Sequence, residues 1–184
     1  SLTIAIADIT RVWPLDRVTS TLSELADTAI TLAWRHALHL QTSNGNLPTV
    51  GGDDILDGSG LICLGMGKLG AYELNYSSDI DLIVFFDNEL PLYRDVEELQ
   101  KHFVTMTRLV VRMLEERTSD GYVFRTDLRL RPDASAMPLA ISTATAEIYY
   151  ESQGQNWERA ALIKARPIGS DNQAAREFLA RIRP

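Results

Sequence analysis

Only one cysteine, Cys63, occurs in 184 residues, so no disulfide can form within the chain. A lone thiol suits a reducing compartment, and equally a cysteine-poor secreted domain. No apolar run comes near the roughly 18 residues of a membrane span, and no signal peptide is visible. Positive charge is also short: 18 Lys and Arg against 25 Asp and Glu give a net charge of −7. A protein that grips bulk nucleic acid neutralises phosphates and needs a basic surplus or stripe. The one basic segment runs from Arg125 to Arg131, so nucleic acid is set aside as the main partner. A small phosphorylated ligand or a protein substrate fits better. There is no internal repeat and no low-complexity tract. What remains is 45% hydrophobic and 23% charged, ordinary for a soluble globular protein, with length for one domain or one domain plus a helical appendage. The chain starts at Ser1 without a methionine and stops at Arg183-Pro184 in a charged helical stretch. Both ends read as cuts, and the chain as a piece of a longer protein.

Val18, Leu22, Leu25, Ala29, Leu32, His36 and Leu40 recur at steps of four and three, which predicts a helix over 17 to 41 with these residues on one face. Pro14 suits its start. His36 and His39 are spaced for a metal pair, but no third ligand stands nearby, and packed or rim histidines are the plainer reading. Residues 42 to 59, rich in Ser, Asn, Gly and Asp, read as a loop. Leu61-Ile62-Cys63-Leu64 reads as a buried strand closed by Gly65-Met66-Gly67. A short helix around 68 to 74, a turn at 75 to 78 and a second strand over 79 to 86 follow. Leu92, Val96, Leu99, Phe103, Met106, Val110 and Met113 predict a helix from about 92 to 117, ended by Ser119-Asp120-Gly121. A third strand is expected over 122 to 130 and a short fourth at 139 to 141. Helix is expected over 143 to 164, with a break near Gly154, and again over 171 to 182. Strands that stand singly between helices predict an α+β class with a small mixed sheet.

Side chains alternate faces along a strand. Asp79 and Asp81 therefore share one face, while Ile80, Leu82, Val84 and Phe86 form the other. Two carboxylates so close repel unless a cation sits between them, and hard divalent ions take such oxygen ligands. A polar strand start facing solvent is the plainer alternative for an isolated Asp-x-Asp. On the expected third strand, the same period puts Arg125, Asp127, Arg129 and Arg131 on one face and Phe124, Thr126, Leu128 and Leu130 on the other. A third carboxylate among guanidiniums completes a site for in-line phosphoryl or nucleotidyl transfer; a solvated face with internal Arg–Asp pairs is the alternative. Gly65-Met66-Gly67-Lys68-Leu69-Gly70 sits between strand and helix, where backbone N–H groups approach phosphates, and Lys68 and Ser78 add donors. The same segment matches the Gly-x-Gly-x-x-Gly of a dinucleotide-binding fold, with Asp87 placed for a ribose. That rival leaves Asp79, Asp81, Asp127 and the arginines unexplained.

The glycine turn followed by Ser-Asp-x-Asp on a strand resembles the polymerase-β-like nucleotidyltransferase superfamily. More closely, Gly65-Met66-Gly67-Lys68-Leu69-Gly70, Glu73-Leu74-Asn75-Tyr76-Ser77-Ser78-Asp79-Ile80-Asp81-Leu82, Asp127-Leu128-Arg129-Leu130-Arg131-Pro132 and Gln155-Asn156-Trp157-Glu158-Arg159 resemble the bacterial glutamine synthetase adenylyltransferase/adenylyl-removing enzymes. The resemblance covers about residues 61 to 170. Enzymes of that family carry two nucleotidyltransferase domains, one that attaches AMP to a tyrosine of glutamine synthetase and one, N-terminal, that removes it by phosphorolysis to ADP. The wording of Asn75 to Asp81 and of Gln153 to Arg159 is similar to the removing domain.

The resemblance implies a polymerase-β-like fold divided into an N-terminal helical segment and loop (1–59), a catalytic core (60–142) and C-terminal helices packed on it (143–184). It implies that Asp79, Asp81 and Asp127 bind Mg²⁺, or Mn²⁺. Gly65, Gly67, Lys68 and Ser78 would hold phosphate, and Arg129 and Arg131 would meet the nucleotide phosphate or the incoming orthophosphate. Arg159 and Lys164 would flank the site or make surface ion pairs. The partners implied are glutamine synthetase, phosphate, ADP or ATP and, through the longer enzyme, a PII-type signal protein, in a bacterial cytoplasm with no membrane. Three alternatives stay open: the forward adenylylation, a dinucleotide-binding domain, and a regulatory module that binds nucleotide without turnover.

Overall fold

Beyond Asp81, the run Leu-Ile-Val-Phe-Phe is apolar on both faces, and such a strand has to be covered from both sides. A computed structural model, which describes residues 2–49, 52–90 and 95–183, shows how. The elements are α1 (Leu2–Ile9), α2 (Leu15–Ser43), β1 (Leu61–Gly65), α3 (Gly67–Gly70), β2 (Ile80–Phe86), α4 (Val96–Glu115), β3 (Thr126–Asp127), β4 (Ala140–Ser142), α5 (Thr143–Ser152), α6 (Asn156–Leu162), β5 (Arg166–Pro167) and α7 (Asn172–Ile182). Leu61, Cys63, Ile80, Leu82, Val84 and Phe86 face one buried cluster, shared with Trp34 and Ile30 of α2 and Phe103 and Met106 of α4. Ile62, Leu64, Ile83 and Phe85 face the other, shared with Tyr149 and Tyr150 of α5 and Phe178 and Leu179 of α7. Phe86 stacks on Phe103 and Phe85 meets Phe178 edge-on, with centroids 5.0 and 4.9 Å apart. This is an α+β fold with helices on both sides of one five-stranded sheet.

The sheet is mixed. β1 pairs antiparallel with both β2 and β5, while β3 and β4 pair parallel with successive parts of β2. That topology excludes the dinucleotide-binding reading, in which the two strands flanking the glycine turn run parallel. It also puts Leu61 opposite Phe86 and Gly65 opposite Leu82. Asp87, whose N–H donates to the Gly60 carbonyl at 2.8 Å, therefore lies at the far end of β2 from the glycine turn.

Several expectations from periodicity need correction. The buried stripe of α2 is Val18, Leu22, Ala26, Ile30, Ala33, Trp34, Ala37 and Leu38. Leu25, Leu32 and His36 of the expected stripe are exposed, as is His39. The helix is apolar around much of its circumference, so two stripes satisfy the same spacing. α4 starts at Val96 behind an Asp95 cap that accepts from the Glu97 and Glu98 N–H groups; the expected start at Leu92 lies outside the described residues. β3 is two residues long instead of nine. Before it, the Val123 and Phe124 N–H groups donate to the Leu114 carbonyl at the end of α4. After it, the chain turns through Pro132 and Asp133, the latter at φ 35°. α1 and β5 were not expected. β5 is an edge strand ending in proline, a residue tolerated in sheets at such a place.

Candidate active site

Asp81 is the position at which the face of β2 covered by α7 runs out of cover. Phe85 and Ile83 are buried on that face, Asp81 is half-buried and Asp79, just before the strand, is exposed. β3 pairs in parallel register, with Ile80 beside Thr126 and Asp81 beside Asp127. Partners in a ladder share a face, so Asp127 joins Asp79 and Asp81. Its strand is fixed from behind by Glu115, which accepts from the Thr126 N–H at 2.8 Å and its hydroxyl at 2.6 Å. The Ile80 N–H, in turn, donates to the Arg125 carbonyl at 2.9 Å.

The three carboxylates are balanced differently. Asp79 pairs with Arg125, Oδ1 to Nε at 2.6 Å. Asp127 is gripped by Arg129 through Nε at 3.0 and 2.9 Å and Nη2 at 2.6 Å, and it accepts from the Arg129 backbone N–H at 2.8 Å. Those bonds hold its pKa below the usual carboxylate range. The Asp81 carboxylate has no hydrogen bond or ion pair among the described residues. Burial pushes its pKa up, and repulsion by Asp127 and Asp79 adds to that; Arg129 and Lys68 oppose it.

The glycine turn lies directly behind Asp81. Gly67 has φ +53°, and a Cβ there would stand 2.8 Å from Asp81 Oδ2. The position needs glycine for its backbone and for the carboxylate's room. The Met66 N–H donates to the Asp81 carbonyl at 2.9 Å. Lys68 Nζ lies 3.5 Å from Ser78 Oγ, and Ser78 is held by Asn75 Oδ1 at 2.8 Å. Gly65 has a packing role: it sits in the sheet between Leu82 and Arg166, and a Cβ would meet Ile168 Cδ1 at 2.2 Å.

Arg131 does not share a face with Arg125, Asp127 and Arg129, because the strand on which that expectation rested ends at Asp127. Its guanidinium donates to the carbonyls of Leu128 (2.8 Å), Ala134 (2.7 Å), Pro138 (3.1 Å) and Met137 (3.4 Å). Four of its five N–H groups thus bind the loop between β3 and β4. Arg131→Gln is expected to lower stability by about 2 kcal/mol, read by urea unfolding; an unchanged midpoint would show that the loop holds itself. Lys164 pairs with Glu73 at 3.1 Å, and Arg159 donates to the Tyr150 carbonyl, so both are engaged away from the carboxylates. Glu158 is buried and accepts from the Tyr149 hydroxyl at 3.0 and 3.1 Å and the Gln155 N–H at 2.7 Å, which anchors α6 to α5. The period of two put Arg125 on the carboxylate face without a role of its own; its contact with Asp79 depends on the parallel pairing of β3 with β2.

Hard oxygen donors suit Mg²⁺ or Mn²⁺, and the unpartnered, half-buried Asp81 with the space kept open by Gly67 is a fitting centre for such an ion. Among the described residues no three acidic, histidine or cysteine side chains already stand together at chelating distance; Asp79 and Asp127 face their arginines instead. The donor set fits, with the outer two carboxylates needing to turn inward.

A small mixed sheet with two aspartates heading one strand, a third level with them on its parallel neighbour and a glycine turn behind is the layout of the polymerase-β-like nucleotidyltransferases. Residues 1–181 match the family model described as glutamate-ammonia ligase adenylyltransferase. The bifunctional glutamine synthetase adenylyltransferase/adenylyl-removing enzyme of Agrobacterium fabrum is 49% identical over 184 residues, all of this chain and 19% of its own length. The enzyme of the same name in a Bradyrhizobium species is 50% identical over 185 residues, again all of this chain and 19% of its own. That of Rhizobium meliloti is 47% identical over 181 residues, 98% of this chain and 18% of its own. The chain thus spans about a fifth of the length of these relatives. It belongs to the glutamate-ammonia ligase adenylyltransferase family.

Proposed function

We propose that this chain is a nucleotidyltransferase domain that acts on glutamine synthetase, and that it removes AMP from an adenylylated tyrosine by phosphorolysis. The observation that carries the reading is the register of Asp81 with Asp127, with Asp79 on the same face and Gly67 behind. A divalent ion held by these carboxylates would neutralise charge on the AMP phosphoryl oxygens and on the departing phenolate. Lys68 and Ser78, close to each other, orient the phosphoryl group from the side of the turn, and Arg129 offers a fork that matches phosphate oxygens. An oxygen of orthophosphate attacks the AMP phosphorus, the bond from phosphorus to the tyrosine oxygen breaks, and the products are ADP and the free tyrosine. Positioning and charge complementarity carry most of the rate, as in phosphoryl transfer generally. A cavity of about 150 Å³ lined by Tyr76, Ser78, Tyr122 and Arg125 lies beside Asp79 and has room for an aromatic ring.

The direction rests on the wording of Asn75 to Asp81 and Gln153 to Arg159. The second reading is the forward transfer of AMP from ATP, which the same carboxylates would serve. In either direction the site would act within a longer enzyme, under a PII-type signal protein. Incubation with adenylylated glutamine synthetase, Mg²⁺ and phosphate is expected to release ADP without any need for ATP. Labelled AMP passing from ATP to unmodified glutamine synthetase, with no phosphate-dependent release, would assign the forward reaction instead.

A further inference from the structure

Each outer carboxylate of the site has its own arginine, and the inner one has none. Arg125 donates to Asp79 and to the Ser77 carbonyl, the latter at 2.8 Å. Arg129 folds back on Asp127. Both arginine side chains are more than half exposed, 55% and 85%, so each can swing on its stem without disturbing packing. Arg131 cannot, because the loop carbonyls occupy it. A carboxylate that ligates a cation no longer needs a guanidinium, and a released guanidinium prefers a new anion; phosphate matches its fork as well as carboxylate does.

We propose that Arg125 and Arg129 are exchangeable counter-ions. They neutralise Asp79 and Asp127 before a divalent cation binds, and they bind the phosphate substrate once the cation takes those carboxylates. Arg125, in place of Arg131, is then the second anion-binding arginine. The inference rests on the reading that the three aspartates hold a divalent ion. It requires that cation and anion bind cooperatively, each raising the other's affinity by the same factor.

The test is calorimetry of the chain with Mg²⁺, with and without saturating inorganic phosphate. Phosphate is expected to raise Mg²⁺ affinity about tenfold, within the usual range of coupling between sites. In Arg125→Gln, Mg²⁺ should bind more tightly than in the wild type when phosphate is absent, because the competing charge has gone. The gain from phosphate should fall to about threefold or less. Arg129→Gln, on the other carboxylate, should repeat both effects, and both variants should keep the wild-type melting temperature. Wild-type Mg²⁺ affinity that ignores phosphate, or an undiminished gain in Arg125→Gln, overturns the exchange. Asp81→Asn separates this from the site reading. If it abolishes Mg²⁺ heat while the wild type shows no coupling, only the exchange falls; if it leaves Mg²⁺ heat intact, the metal site falls and the exchange with it.

Discussion

Asp81→Asn is expected to abolish nucleotidyl transfer and to leave the domain at least as stable as the wild type at neutral pH. The carboxylate is half-buried, lacks a partner and faces Asp127 and Asp79, and its pKa is raised by that burial first and by those charges second. The sign follows from linkage. A group whose pKa is raised on folding contributes stability below its unfolded value, here the ordinary 3.8, and that contribution is lost as pH rises through the folded value. At neutral pH the ionised Asp81 therefore works against the fold, and an amide of the same shape relieves it. As a ligand to the proposed divalent ion, Asp81 would supply several kcal/mol of transition-state stabilisation, so the rate should fall on the order of 10³-fold at about 1.4 kcal/mol per tenfold. Assays of ADP release and urea unfolding at acid and neutral pH check both halves. A variant with a tenth or more of wild-type activity, or one clearly less stable at neutral pH, would contradict the assignment.

Gly70→Ala should be the most damaging of the glycine substitutions. Its Cβ would stand 2.1 Å from the Lys164 carbonyl oxygen and 2.7 Å from that of Gly65. Both are backbone atoms, with no flexible end to swing aside, so α3 has to part from the segment leading into β5. Overpacking of this kind costs about 3 kcal/mol, roughly 6–12 °C in Tm for a domain of this size. Activity should fall too, because α3 carries Gly67 up to Asp81. Gly45→Ala is the useful contrast: its φ is +73° but nothing lies within 4 Å, so only the backbone conformation is strained, at about 1 kcal/mol. Equal effects at the two positions would mean that the Lys164 backbone yields to the added methyl group.

What could be read from the sequence was whatever short-range periodicity controls. The apolar runs at 61–64 and 80–86 became the two central strands, and the helix through Leu99, Phe103, Met106 and Val110 buried those residues. The pairing of Asp79 and Asp81 on one face needed only the period of two. Asp127 was legible as a third carboxylate with Arg125 and Arg129 near it, but the fate of Arg131 and the contact of Arg125 with Asp79 were not. Their placement depends on where β3 begins and stops, which is decided by the bonds from Val123 and Phe124 to Leu114 before it and by Arg131 closing its own loop after it. An alternating pattern cannot report a turn whose backbone is satisfied by a side chain. The buried face of α2 was missed for a different reason: which of two apolar stripes goes inward is set by the neighbours it meets, α4 foremost, not by the helix itself.

Cys63 lies at the middle of β1, opposite Val84, and its backbone carbonyl accepts from Ile168 and Ser170. Burial pushes the thiol up to about 12, and alkylating reagents react with thiolates that water can reach. The chain's one sulfhydryl is therefore silent unless the central strand comes away from its neighbours. Its labelling rate clocks the opening of the whole sheet, and any ligand that holds the sheet closed slows that clock in proportion to how tightly it binds.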